Sequence, residues 1–78
     1  KKFVSELRGK TVMTNEGQKV GMIENFVVDT VTGELQHVLV MPATEVEIRL
    51  YRTDAQGRLI LPFKHMKAVR DVVVMEVV

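Results

Sequence analysis

The segment Leu7 to Val40, LRGKTVMTNEGQKVGMIENFVVDTVTGELQHVLV, constrains the fold of this chain more than any other. It divides into three short apolar runs separated by two polar, glycine-bearing turns, the pattern of an antiparallel meander. Thr11 to Met13 is β-branched at two of three positions and suits a first strand. Asn15-Glu16-Gly17 supplies turn formers, with Gly17 where a positive φ is needed. Lys19 to Asp29 reads as the longest strand. Within it Gly21 has no side chain to pack and marks a bulge or sharp bend. A bulge there explains why apolar parity shifts along Met22, Ile23, Phe26 and Val28, since one extra residue swaps the faces. At the next turn the Asp29 carboxylate can accept backbone N–H groups, and Gly33 allows a left-handed residue. Leu35 to Met41 is the third run, and Pro42 ends it because proline cannot donate to a ladder.

The second half continues in the same style. Glu45 to Arg52 alternates, with Val46, Ile48 and Leu50 on one side and Glu45, Glu47 and Arg49 on the other, which predicts a strand with one wet face. Asp54-Ala55-Gln56-Gly57 predicts a hairpin connection, with Gly57 near its end, returning into Arg58 to Leu61. Pro62 to Lys67 reads as a short turn containing a single 3₁₀ turn, and Val69 to Val78 as the last strand. Lys2 to Arg8 reads as one helical turn or an arm, with Phe3 and Leu7 covering an open end. The expectation is one domain over residues 1–78, an all-β, small six-stranded antiparallel β-barrel with at most one short helical turn. Its predicted interior holds Val12, Val20, Ile23, Phe26, Val28, Leu39, Ile48, Leu50, Leu59, Leu61 and either Val72 or Val73.

The order of these parts resembles the PRC-barrel family. Leu7, Gly9 and Lys10 open the pattern, Asn15 to Gly17 form its polar turn, and Val20, Gly21 and Ile23 lead its second strand. Asp29, Thr32 and Gly33 form the next turn, Leu35 to Val40 the next strand, and Leu61-Pro62-Phe63 with Val69 to Val74 complete it. Asp71 occupies the family's Val-x-x-Asp position, which implies a turn-to-strand hydrogen-bonding role. The family is found in the reaction-centre H subunit, in a ribosome-maturation factor and as stand-alone archaeal proteins. Similarity to the stand-alone members implies a cell-division adaptor that links the membrane-anchoring SepF protein to other division-ring proteins. It also implies a cytoplasmic protein recruited to the division site. The alternative is a ribosome-maturation role, whose relatives join the barrel to a second domain. A docking role at a membrane redox complex is a further rival, placed in the family by a transmembrane helix.

Composition narrows the classes further. A chain of 78 residues buries only roughly 60–65% of its unfolded surface, so its core alone gives a modest stability margin. There is no cysteine, hence no disulfide, no thiolate nucleophile and no cysteine-ligated zinc. No apolar run approaches the ~20 residues of a membrane span, and no signal-peptide pattern is present, so a reducing cytoplasm fits. The sequence opens on Lys1 rather than methionine, which leaves room for flanking segments. Net charge is +1, too small for a global field that gathers nucleic acid or anionic lipid. Lys64, His65, Lys67 and Arg70 form the most basic local patch; a solvated turn face is the preferred reading and a phosphate site the rival.

No residues assemble into a catalytic motif. His37 and His65 lie on separate segments, in no metal-binding spacing, so neither is expected to act as ligand or general base. Glu16, Glu24, Asp29, Asp54 and Asp71 would need two members facing one groove to work as acid and base, and a filled small barrel leaves little room for one. The glycines form neither a dinucleotide fingerprint nor a phosphate loop. Among Phe3, Phe26, Phe63 and Tyr51, only Tyr51 reads as an exposed stacking platform, which disfavours a single-strand nucleic-acid binder. The expectation is a non-enzyme with no cofactor and no metal, no nucleic-acid partner and no direct membrane insertion.

One excess remains. Val72 to Val78 is apolar on both faces apart from Glu76, and Val38 and Val40 add to the second face of their strand. An outward stripe of this kind demands a partner. Homodimerisation is its simplest form, because two-fold symmetry lets one patch satisfy itself. The predicted interface residues are Val72, Val74, Met75, Val38 and Val40.

Overall fold

The computed structural model describes residues 6–76. Expectations placed on Lys2 to Ser5, including Phe3 as an end cover, and on Val77 and Val78 lie outside them. Six strands form a single all-β sheet: β1 (Thr11–Thr14), β2 (Lys19–Val28), β3 (Leu35–Pro42), β4 (Leu59–Pro62), β5 (Met66–Val69) and β6 (Val72–Met75). Their spatial order is β4-β3-β2-β1-β6-β5.

This architecture corrects the expected antiparallel barrel in two ways. The sheet is mixed, because β1 and β6 run parallel, with Val12 opposite Val73 and Thr14 opposite Met75. It is also open, since no ladder joins β4 to β5. The two edge strands are instead linked by Phe63–His65, a 3₁₀ turn that carries the chain directly from β4 into β5.

Two segments change identity. Glu45 to Arg52 is not a strand; it is irregular chain around a 3₁₀ turn at Ile48–Leu50. Both edges of β3 are already occupied, by β2 and β4, and the segment meets the outer edge of β4 at its end, where Ile60 N–H donates to the Arg52 carbonyl. Conversely, Met66–Val69 is a strand, hairpinned onto β6 through Arg70 and Asp71. Arg70 holds φ 56°, the left-handed value that closes so short a loop.

The core lies against one face of the coiled sheet and gathers Leu7, Val12, Val20, Ile23, Val38, Val40, Leu59, Leu61, Val73 and Met75. Cross-strand pairs build it: Val12 with Val73, Ile23 with Val40, Val38 with Leu61, and Val40 with Leu59. Phe26, opposite Val38, is half-buried against this cluster. Val73 rather than Val72 points inward. Three expected core residues do not belong: Val28, Ile48 and Leu50 are exposed, Leu50 by 78%. Leu39 is buried but outside the cluster, opposite Ile60 on the other face.

Two bulges in β2 set which residues face inward. Val12 stands opposite Gly21 and Met13 opposite Lys19, so Val20 is the extra residue of the first. Ile23 stands opposite Val40 and Asn25 opposite Leu39, so Glu24 is the extra residue of the second. Val20, Ile23 and Phe26 therefore share a face at spacings of three, which a regular strand forbids. At Gly21 the backbones of β2 and β3 approach so closely that a Cβ would collide with the Met41 carbonyl oxygen and lie 2.8 Å from Val40 Cγ1.

Candidate functional site

With one face of the sheet packed, alternation presents the other face outward. On it the strand pairings align two rows. The first runs Met41, Met22, Thr11, Val72, Val69 across β3, β2, β1, β6 and β5. The second runs Lys19, Met13, Val74, Lys67 across β2, β1, β6 and β5. Met22, Met41 and Val69 are each about half exposed, and Thr11, Met13, Val72 and Val74 are partly so. Three of the chain's five methionines thus stand on one surface, bracketed at the ends of the second row by exposed lysines.

This arrangement revises the expected interface stripe. Val38, Val40 and Met75 are at most 6% exposed and belong to the core, because Val38 pairs with Leu61, Val40 with Leu59, and Met75 with Met66 on the packed face. They supply no outward surface. Val72 and Val74 do face outward, and the structure sets beside them Met13, Met22, Met41 and Val69, which sequence reasoning left out. Their signal was the alternation of Val12 and Thr14 with Thr11 and Met13, readable only once β1 is known to lie between β2 and β6.

The turns hold the strands in register with short side-chain bonds. Thr14 is buried, and its Oγ1 accepts the Glu16 and Gln18 N–H groups at 3.2 and 3.1 Å, shaping the turn that contains Gly17. Asp29 Oδ1 accepts Val31 N–H at 2.8 Å and Thr32 N–H at 3.1 Å, and Gly33 N–H donates to the Asp29 carbonyl. Asp54 Oδ1 accepts Gln56 and Arg58 N–H groups around Gly57, while Oδ2 accepts Arg58 Nε at 2.9 Å. The backbone N–H of Arg58 is the main cause that holds the Asp54 carboxyl below its ordinary value, with the Arg58 guanidinium adding to it. The guanidinium also reaches Glu24 Oε1 at 3.3 Å, so this link spans β3 from β4 to the second bulge of β2. Asp71 differs from its expected role: it is exposed in the β5–β6 turn, and its carboxylate makes no hydrogen bond among the described residues.

The remaining candidates do not converge. Of the five carboxylates, Glu24 and Asp54 meet on the Arg58 guanidinium, Glu16, Asp29 and Asp71 occupy separate turns, and among the described residues no three His, Asp or Glu side chains cluster. His37 lines a shallow cleft of about 340 Å³ with Glu34, Pro62, Phe63 and Lys64, at the β4 edge. His65 ends the 3₁₀ turn, its carbonyl accepting Glu76 N–H at 3.0 Å. The basic patch divides, since Lys64 lines that cleft while Lys67 stands on the outer face. Tyr51 is half-buried against the core and is not a free stacking platform.

A six-stranded mixed sheet with one packed face and an apolar, lysine-flanked outer face defines a small β-domain built around a surface rather than a pocket. The chain belongs to the PRC-barrel domain family, whose profile matches residues 1–78. Membership suggests a protein-interaction module. No curated protein matches the chain. Among the described residues no helix is long and apolar enough to cross a membrane.

Proposed function

We propose that this domain is a non-enzymatic adaptor acting by protein–protein contact, in archaeal cell division, where it links a SepF-type membrane anchor to other division-ring proteins. The observation that carries the contact reading is the outer face, with half-exposed Met22, Met41 and Val69 beside Val72 and Val74. Surfaces of this apolar character mark interaction sites. The cell-division assignment is supported by the family resemblance of the stand-alone archaeal members. In this reading the protein works in the cytoplasm and is recruited to the division site.

The adaptor also pairs with a second copy of itself, through β5. Among the described residues that strand is bonded on one side only, to β6, whereas the outer edge of β4 is engaged by Thr53 opposite Leu59 and by Ile60 N–H donating to the Arg52 carbonyl at 2.9 Å. A free edge offers unpaired backbone groups to an incoming strand. Antiparallel pairing centred on Ala68 sets Lys67 opposite Val69 of the second copy and avoids lysine against lysine.

Depleting the protein in its host tests the functional assignment. Division or ring assembly is disturbed while rRNA processing continues normally. Accumulation of precursor rRNA in cells that divide normally would replace this reading with the ribosome-maturation one.

A further inference from the structure

We propose that the outer face docks an amphipathic helix whose apolar stripe carries acidic residues along one flank. The inference rests on the reading that the domain acts through protein contact, and it names the chemistry of the partner. Lys19 and Lys67 carry it. Their pairing with Met13 and Val74 fixes them at the two ends of one outward row, and both are exposed. Neither forms an ion pair among the described residues. Between them in that row lie Met13 and Val74, and beside it runs the largely apolar row Met41, Met22, Thr11, Val72, Val69. An occupant must therefore bury apolar area in the middle and meet two uncompensated positive charges on one side.

The dimensions fit a helix lying across the strands. Five strands at about 4.8 Å spacing give the apolar row a span of ~19 Å, the length of a helix of about 13 residues. Three spacings separate Lys19 from Lys67 by ~14 Å. Positions i+7 and i+11 of an α-helix return to the same side at about 10 and 16 Å, which brackets that separation. Glutamate or aspartate at either spacing reaches both lysines while the apolar stripe rests on the methionines. Unbranched thioether side chains re-pack easily against differently shaped partners, which suits such a surface.

A second copy of this chain is a poor occupant of the same face. A two-fold axis along the strands through the centre of the second row sets Lys19 of one copy over Lys67 of the other. An axis along that row sets each lysine over its own counterpart. Like charges meet in both arrangements, which disfavours them. An anionic bilayer is also disfavoured: stable membrane-surface attachment by charge takes clusters of several basic residues, and here there are two.

The test uses the whole domain with ¹³C-methyl methionine and two synthetic peptides. One is an amphipathic helix of about 14 residues with leucines along one stripe and glutamates at i, i+7 and i+11 on its flank; the other has lysines in place of those glutamates. With the glutamate peptide the methyl signals of Met13, Met22 and Met41 shift saturably, while those of inward Met66 and Met75 stay. The lysine peptide binds roughly tenfold more weakly at low salt, a difference that shrinks as salt is raised. The Lys19→Glu/Lys67→Glu variant, with unchanged melting temperature, reverses the preference. Equal binding of the two peptides, or no binding of either, overturns the proposal. So does concentration-dependent shifting of the three outer methyls in the absence of peptide, which would assign the face to a second copy. Tighter binding to vesicles of one-third phosphatidylserine than to the glutamate peptide would assign it to a membrane. Because the host depletion phenotype is read separately, failure here with division still impaired removes the face assignment and leaves the adaptor reading in place.

Discussion

Met22 of β2 stands directly opposite Met41 of β3, each about half exposed at 51% and 46%, on the face of the sheet that the core does not use. One position further along each strand, Ile23 stands opposite Val40, and both are buried to 1% exposure or less. A single-residue step thus separates the packed face from the presented one. That step is the ordinary alternation of a strand, and next to it, where the first bulge bends β2 at Gly21, its backbone presses against that of Met41.

Gly21→Ala is the sharpest probe of that bend. The added methyl meets a backbone carbonyl, which cannot rotate away as a flexible side-chain end would. The expected cost is roughly 1–3 kcal/mol, typical of overpacking a well-filled site. Urea denaturation measures it. An unchanged midpoint would mean that β2 and β3 do not approach this closely.

Core membership is tested by a contrast between two leucines. Leu59 is fully buried between Val40 and its neighbours, so Leu59→Ala is expected to lose roughly 2–5 kcal/mol. Leu50, on the 3₁₀ turn, is exposed, and Leu50→Ala should stay within about 0.5 kcal/mol of wild type. The opposite ranking in thermal melts would restore the 45–52 segment as a core strand.

That segment also shows what the sequence carried and what it did not. Glu45 to Arg52 alternates as cleanly as any strand, but alternation reports an amphipathic ribbon and says nothing about whether a neighbouring edge is free. Met66–Val69 posed the reverse difficulty. Its four residues show no apolar alternation, with Lys67 and Val69 both outward, and only the pairing to β6 defines it. The turns were the most legible parts, since Asp29, Asp54 and the glycines act through bonds within a few residues. The outer face was the least legible. Val38 to Met41 and Val72 to Met75 are apolar at every position, so no period tells one face from the other; the partners Leu59, Leu61 and Val12 decide it. The parallel step from β1 to β6 lies beyond any local pattern.

Acid should weaken the clasp around Asp54. Its folded-state carboxyl titrates below the ordinary value of 3.8, chiefly because the Arg58 N–H donates to it. A carboxyl lowered in this way stabilises the fold above its unfolded value and loses that contribution as pH falls through its lower folded value. Asp54→Asn keeps a carbonyl oxygen for the turn but removes the titration and the negative charge that faces Arg58. Wild type should therefore melt above the variant at neutral pH, and the gap should close below about pH 4. A gap that persists unchanged in acid would show that the charge plays no part.

The outer face, rather than the cleft beside His37, is expected to carry the function. Complementation of depleted host cells tests it most directly. Cells are supplied with a Met22→Glu/Val74→Glu variant, a Lys64→Ala/His37→Ala variant of the cleft, or wild type, each verified to melt near wild-type temperature and to accumulate equally. The outer-face variant is expected to fail to restore division-ring assembly, and the cleft variant to restore it fully. Full rescue by the outer-face variant together with failure of the cleft variant would place the function at the cleft instead.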